Sequence, residues 1–215
     1  MAERIRIMPL GDSITAGVHF TGSTRTCEAG GYRTFLWNAI KDDEPRVEFV
    51  GSQCDGPKGV SRRHEGHPGW RTAELLEHVE EWMDEARPHA VLLMSGTNDI
   101  IRDQDALVAR ERLAGLVAAL HRHTPGLRLG VATIPPLVWS ESRCHLEPLV
   151  VEYNEEVRCI ARESALSGKV VALADVHGAM EEAHLIGTHP SPEGYRRIAE
   201  VWRPVVATLR NPRPS

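Results

Sequence analysis

The chain has 215 residues, and 25 Lys and Arg against 30 Asp and Glu give it a formal net charge of −5. A mildly acidic chain lacks the basic surface that nucleic-acid binding requires, and no apolar run approaches the roughly 20 residues needed to cross a bilayer. Hydrophobic residues make up 41% and recur along the whole length, which excludes a disordered chain and predicts a globular protein.

Five short β-rich runs alternate with five longer stretches of helical spacing. The strands are predicted at residues 5–10, 47–51, 90–94, 127–133 and 169–173, and the helices at 32–40, 72–85, 104–121, 148–165 and 192–209. Strand runs such as AVLLM are apolar throughout, which is typical of strands covered on both faces. The alternation therefore predicts a flavodoxin-like, three-layer α/β/α sandwich with a central five-stranded parallel sheet.

The chain shows no internal repeat, and we expect one domain over residues 1–210 followed by a flexible Pro-rich tail at 211–215. Two long loops, at residues 18–31 and 52–70, are rich in Gly, His and polar residues. Loops of that length in a compact domain are more often functional than idle. We therefore expect these loops to shape the substrate pocket.

No signal peptide is visible at the N-terminus, so we expect a cytoplasmic protein, with a mature secreted form as the alternative. None of the four cysteines shows C-x-x-C spacing: Cys27, Cys54, Cys144 and Cys159. A cytoplasmic protein would keep them reduced, whereas a secreted one would make Cys27 and Cys54 the pair to suspect. The histidines have no ligand-like spacing, so neither a metal site nor a cofactor is predicted.

Four polar segments lie where an open α/β sheet binds ligands, at the carboxyl ends of its strands: GDSITAG, HPGW, SGTND and GTHPSPEGY. Ser13 can expose its hydroxyl in the turn after the first strand, although a helix N-cap is the alternative. Asn98 can aim an N–H at a developing oxyanion or stabilise its own loop. His189 is restrained by the following proline and can act as a general base. Together these segments favour a serine hydrolase.

The same four segments resemble the conserved blocks of the SGNH, or GDSL-type, hydrolase superfamily over residues 5–202. The resemblance implies that Ser13 is the nucleophile and His189 its base. It also implies an oxyanion hole formed by the N–H groups of Ser13 and Gly69 and the side chain of Asn98. The phrases IRIMPLGDSITAG, VGSQ, EGHPGW and ATIPPL are most similar to acetylxylan-esterase-like carbohydrate esterases.

That resemblance implies a serine esterase that hydrolyses short acyl esters, chiefly acetyl esters, of a carbohydrate or another polar alcohol through an acyl-enzyme. The expected partner is a small-molecule or glycan ester, with no nucleic acid, membrane, metal or organic cofactor, and the oligomeric state stays open. The rival functions are an acyltransferase, a lysophospholipase or thioesterase, and a ligand-binding module that has lost catalysis.

One residue departs from the family pattern. The family has Asp three residues before its histidine, where it orients the imidazole, whereas this chain has Ile186 three residues before His189. Isoleucine cannot accept the Nδ1–H hydrogen bond. Three alternatives stay open: a backbone carbonyl orients the ring, a carboxylate from the preceding loop does so (Glu182, Glu181 or, less readily, Asp175), or the enzyme is slow or inactive.

Further candidates adjoin the predicted nucleophile and the oxyanion glycine. Asp12, His67 and Trp70 are predicted as substrate contacts, and Trp139 follows the fourth strand. An indole face can stack on a sugar ring, but ordinary loop packing is the alternative use of both tryptophans.

Overall fold

Strands and helices alternate along residues 4–21, 24–43, 46–138 and 144–210, the parts of the chain that this computed structural model describes. In chain order they are β1 (Ile5–Gly11), α1 (Ser13–Ala16), β2 (His19–Thr21), β3 (Thr24–Thr26), α2 (Gly31–Ile40), β4 (Val47–Phe49), β5 (Gln53–Cys54), β6 (Arg63–Gly66), α3 (Thr72–Ala86), β7 (Ala90–Met94), α4 (Thr97–Asp103), α5 (Ala106–His123), β8 (Arg128–Ala132), α6 (Glu147–Leu166), β9 (Val170–Ala174), β10 (Leu185–Ile186), β11 (His189–Pro190) and α7 (Pro192–Arg210). The tail predicted at 211–215 and Trp139, the tryptophan noted after the fourth strand, lie outside the described residues.

A parallel sheet forms the middle layer, and β1 is its hub. β1 pairs with β7 on one side, and on the other side with β4 at its start and β6 at its end. β7 pairs with β8 and β8 with β9, all parallel, whereas β5 runs antiparallel to β6. The predicted five-stranded parallel sheet and its flanking helices are therefore confirmed, with one strand position shared between β4 and β6.

Both faces of the sheet are covered, as the apolar strand runs predict. In β7, Val91 and Leu93 pack into a core cluster with α3, α5 and α6, whereas Leu92 and Met94 pack into a second cluster with α2 and α7. Neighbouring side chains of a strand point to opposite faces, so a strand buried on both sides has no position left for a polar residue.

The end of α1 is held by a buried arginine. Arg33 on α2 donates hydrogen bonds to the carbonyls of Thr15 and Ala16, at 2.8 and 3.1 Å, and also to the carbonyls of Asp55 and Arg62. Burial lowers its pKa to about 10, which leaves the guanidinium protonated at neutral pH. Arg33 therefore joins the segment after β1 to the long loop that precedes β6.

Short elements escape the sequence pattern. The hairpins β2–β3 and β10–β11 and the helix α4 lie in segments interpreted from the sequence as loops, because two to seven residues show too few positions for a period. The helix predicted from residue 104 begins at Ala106, because the Asp105 carboxylate caps it by accepting from the N–H groups of Leu107 and Val108. Cys27 and Cys54 are free thiols, so the pairing considered for a secreted form is absent.

Within the described ranges, every helix is too short or too polar to cross a bilayer.

Candidate active site

Ser13 and His189 meet at the carboxyl end of β1 although 176 positions separate them. The Nε2 atom of His189 lies 2.9 Å from the Oγ atom of Ser13. Ser13 is the first residue of α1, which Asp12 caps by accepting the N–H of Ile14 at 2.9 Å. His189 opens β11, two residues before Ser191, whose hydroxyl caps the start of α7. Both side chains therefore lie beside a capped helix N-terminus, Ser13 at the start of α1 and His189 just before α7.

The pair opens into a pocket of about 180 Å³. The residues that line it are Ser13, Phe20, Arg25, Gly69, Thr97, Asn98, Ile101, Thr188 and His189. The structure therefore brings together all four residues that the sequence predicts as nucleophile, base and oxyanion donors. A wider pocket of about 510 Å³, between the β6 edge and α3, includes Ser52, Glu65 and Trp82 but lacks the Ser–His pair.

Three of the lining residues carry hydrogen-bond donors that matter for catalysis: Ser13, Gly69 and Asn98. The Nδ2 atom of Asn98 donates to the carbonyl of Trp70 at 2.9 Å, which orients the amide and leaves its second N–H for another acceptor. The backbone N–H groups of Ser13 and Gly69 donate to none of the residues that the structure describes. Gly69 has φ +86°, a left-handed conformation that favours glycine. Such a set of unused donors suits a developing negative charge.

The loop that carries Gly69 is fixed by polar contacts. The N–H of His67 donates to the carbonyl of Gly11 at 2.9 Å, which ties the loop to the end of β1. The imidazole of His67 stacks on the indoles of Trp70 and Trp82, at centroid distances of 4.4 and 4.5 Å, and the two indoles lie 6.1 Å from each other. Its Nε2 atom lies 2.9 Å from the buried carboxylate of Glu65.

The three predicted substrate contacts lie elsewhere. Asp12, His67 and Trp70 are absent from the described lining of the pocket. Asp12 is buried, and this burial, with the nearby charge of Asp99, raises its pKa to about 7 against the opposing hydrogen bond from Ile14. All three residues support the turns that carry Ser13 and Gly69. For Trp70, this role corresponds to the loop packing that the sequence left open as the alternative to stacking on a sugar.

Asp99 also supports the site without lining the pocket. Its buried carboxylate accepts from the backbone N–H and the hydroxyl of Thr72, at 2.9 and 3.0 Å, and forms an ion pair with Arg112 at 2.8 Å. Asp99 therefore ties α4, which carries Asn98, to the first residue of α3, just after the loop of Gly69.

The position of the family's acid is filled by an apolar side chain. Ile186 pairs with His189 across the β10–β11 hairpin and is 53% exposed. The Nδ1 atom of His189 instead lies 3.2 Å from the hydroxyl oxygen of Thr188. Within the described residues, no carboxylate lies within hydrogen-bond distance of this imidazole.

The candidate acids are engaged elsewhere or lack a contact with the imidazole. The backbone of Glu181 closes its own turn, since its N–H donates to Nδ1 of His184 and its carbonyl accepts the N–H of His184, both at 2.9 Å. Asp175 forms an ion pair with Arg158 at 2.7 Å and accepts from Thr133. Glu182 starts the same short turn and makes no hydrogen bond to His189.

Burial, with the charge of Arg25 as a smaller cause, lowers the pKa of His189 to about 4. A neighbouring carboxylate would act in the opposite direction, by stabilising the imidazolium. His189 is therefore neutral at pH 7, which is the form that accepts a proton.

Five lining residues were not predicted from the sequence: Phe20, Arg25, Thr97, Ile101 and Thr188. Thr188 carried a usable signal, because a hydroxyl directly before the candidate base can reach its ring. Phe20 and Arg25 carried none, since their position depends on the register of the β2–β3 hairpin.

The chain is similar to known esterases. Residues 10–197 match the family described as GDSL-like lipase/acylhydrolase. The chain belongs to this family. A multidomain esterase of Ruminococcus flavefaciens is 28% identical over 228 residues, which cover 94% of this chain. The chain spans only 28% of the length of that relative.

Two solved carbohydrate esterases of family 3 are similar over almost their whole length. The enzyme from Clostridium thermocellum is 28% identical with a TM-score of 0.81, and the match covers 97% of this chain and 98% of that one. The enzyme from Talaromyces cellulolyticus is 25% identical with a TM-score of 0.80, and the match covers 95% and 97%. The resemblance inferred from the sequence motifs is confirmed.

The buried environment of His189 predicts an unusual titration. We expect its imidazole to titrate near pH 4, well below the ordinary 6.5 of histidine, because burial and Arg25 disfavour the charged ring. Since the pKa of the folded state is the lower one, this group stabilises the fold above pH 6.5, and that contribution is lost as the pH falls towards 4.

NMR titration of the imidazole measures this pKa, with His189→Gln assigning the signal by its disappearance. A pKa near 6.5 or above would contradict the described environment, because it would require a solvated ring or a carboxylate partner.

Proposed function

We propose that this protein is a serine esterase that hydrolyses short acyl esters, acetyl esters first, of a carbohydrate or another polar alcohol. The observation that carries the proposal is the 2.9 Å contact between Ser13 Oγ and His189 Nε2, at the wall of a pocket that also holds Gly69 and Asn98. The similarity to family 3 carbohydrate esterases supports the substrate class.

In the first half of the reaction, Ser13 is acylated. The neutral Nε2 atom of His189 accepts the hydroxyl proton as Oγ attacks the ester carbonyl. The N–H groups of Ser13 and Gly69 and the Nδ2–H of Asn98 stabilise the resulting oxyanion. Each such donor contributes on the order of 3 kcal/mol to the transition state.

Acylation is complete when His189 gives its proton to the leaving alcohol oxygen as the ester C–O bond breaks, which leaves the acyl group on Ser13. In the second half, the acyl group is passed to water. His189 takes a proton from a water molecule that attacks the acyl-enzyme, and returns it to Ser13 when the carboxylic acid leaves. The sum is ester plus water giving acid plus alcohol, without an external redox partner.

The hydroxyl of Thr188 orients the base. When Thr188 Oγ1 accepts the Nδ1–H of His189, the lone pair lies on Nε2, facing Ser13. A hydroxyl is neutral, so it fixes the tautomer without stabilising the imidazolium as a carboxylate does. We therefore expect a base weaker than that of an Asp-containing triad, consistent with the low pKa of His189.

The size of the pocket favours a short acyl group. Its volume is about 180 Å³, and the side chains of Thr97 and Ile101 contribute to its wall beside the proposed oxyanion donors. An acetyl group fits such a space, whereas an octanoyl chain would have to leave it.

An ester panel with wild type and Ser13→Ala tests the proposal. We expect wild type to hydrolyse 4-nitrophenyl acetate and acetylated xylosides, with activity falling steeply from acetyl to octanoyl esters. Ser13→Ala should lower the rate by at least about 10³-fold, because no other group can form the acyl-enzyme. Ser167→Ala, at the far end of α6, is the matched control and should keep the wild-type rate.

Wild-type activity in Ser13→Ala would refute the proposed nucleophile. A preference for octanoyl over acetyl esters would instead favour a lipase or lysophospholipase.

A second set of variants tests the orienting role of Thr188. We expect Thr188→Val to lower kcat/KM about tenfold, because the imidazole loses the acceptor that selects its tautomer, and Thr188→Ser to retain most of the activity. Ile186→Asp in the Thr188→Val background should restore activity and raise the pKa of His189, since residue 186 lies opposite the imidazole in the hairpin.

Glu181→Ala and Glu182→Ala serve as controls and should change the rate little. A loss of about a hundredfold in either variant would identify a carboxylate as the orienting group and contradict the role of Thr188.

A further inference from the structure

The β2–β3 hairpin presents two different groups to the pocket. Phe20 and Arg25 are direct partners in its antiparallel register, and both line the pocket. Residues directly opposite each other in such a pair project to the same face. The ring of Phe20 is 44% exposed, and its centroid lies 5.7 Å from that of His189 in an edge-to-face arrangement. One hairpin face therefore combines an aromatic surface with a cation.

Arg25 has no counter-ion among the residues that the structure describes. No acidic side chain in the described ranges forms an ion pair with it, and it is the one residue of the lining that is charged at pH 7. Its charge nevertheless acts on the site, since it contributes to the low pKa of His189. A guanidinium without a partner, beside the reacting atoms, is available for an anionic group of the substrate.

A second arginine lies beside Gly69, which lines the pocket. The Nη2 atom of Arg102, on α4, is 3.6 Å from the place where a Cβ atom on Gly69 would lie. Arg102 also forms no ion pair with the described residues. The rim therefore carries positive charge although the whole chain has a net charge of −5.

The proposed reaction decides which part of the substrate meets Arg25. His189 must give its proton to the leaving oxygen, so the alcohol part of the ester lies beside the imidazole. Phe20 and Thr188 contact its ring, and Arg25 lines the same pocket and acts on the imidazole by its charge. The hairpin therefore faces the alcohol.

We propose that the alcohol is an acidic sugar, so that the substrate is an O-acetylated uronic acid. The sugar ring lies against Phe20, and its carboxylate accepts hydrogen bonds from the guanidinium of Arg25. This inference rests on the proposed esterase function and narrows it. Arg25 and Phe20 are then the residues that select the alcohol, while the Ser–His pair and the oxyanion donors act on the acetyl group.

A matched pair of substrates isolates the charge. Fully acetylated methyl glucuronoside is assayed as the free acid and as its methyl ester, which carries the same acetyl groups on the same ring. We expect wild type to show a kcat/KM about tenfold higher for the acid, with the advantage shrinking as salt is added. In Arg25→Gln the ratio should fall to about one, and Arg25→Lys should retain part of it.

Two further variants locate the effect. Arg122→Gln removes an equal charge near the end of α5, where Arg122 pairs with Glu80, and should leave the ratio at its wild-type value. Arg102→Gln should lower the ratio less than Arg25→Gln, because Arg102 lies on the Gly69 side. If Arg102→Gln lowered the ratio more than Arg25→Gln, the carboxylate would lie near Gly69 and not near Arg25, which would overturn the proposal.

Further substrates distinguish recognition of a sugar acid from recognition of any carboxylate. A preference for 4-acetoxybenzoate over its methyl ester, without a preference for the sugar acid, would overturn the sugar part of the proposal. Equal hydrolysis of the sugar acid and its methyl ester by wild type would overturn the role of Arg25 and leave the esterase function intact. Failure to hydrolyse any acetyl ester, 4-nitrophenyl acetate included, would instead refute the proposed function itself.

Discussion

The hydrogen bond between Ser13 and His189 depends on a tight junction between the two ends of the fold. Next to it, the buried hydroxyl of Tyr195 on α7 donates to the carbonyl of Val18 at 2.6 Å. At Gly31, the start of α2, an added Cβ atom would lie 2.9 Å from the ring of Tyr195. It would also lie 2.5 Å from the Cα atom of Gly17, directly after α1, so a side chain here would disturb the junction that brings the serine and the imidazole together.

The proposed oxyanion donors depend on buried polar contacts more than on the apolar core. Asp99, Thr72 and Arg112 join α4 to the start of α3, while His67 ties the loop of Gly69 to β1. Each of these groups is satisfied by a named partner, which makes such a network rigid in a region of low dielectric. Residues that do not line the pocket therefore fix its geometry.

The sequence predicts those features whose signal is local. The apolar run at Ala90–Met94 predicts a strand covered on both faces, and short motifs single out Ser13, Asn98 and His189. The sequence does not predict how a side chain is oriented. His67 and Trp70 adjoin Gly69 in sequence, yet their rings contact each other and Trp82 of α3 and do not line the pocket. A long-range partner decides where such a side chain turns, and no spacing within one loop contains that information.

The same limit applies to the hairpins. One register pairs Phe20 with Arg25, and another sets Ile186 opposite His189. The strands of both hairpins have only two or three residues, which is too short to show alternation in the sequence. The absence of the family's aspartate was visible in the sequence, but its consequence, an imidazole whose Nδ1 faces a threonine hydroxyl, required the fold.

The central claim is that Ser13 is a nucleophile activated by His189. A fluorophosphonate probe followed by peptide mass spectrometry tests it directly, because the probe reacts with activated serines without a matching alcohol. The account predicts a single label on Ser13, no label in Ser13→Ala, and much slower labelling in His189→Gln. A label on another residue, or none on Ser13 in a protein that hydrolyses acetyl esters, would contradict it.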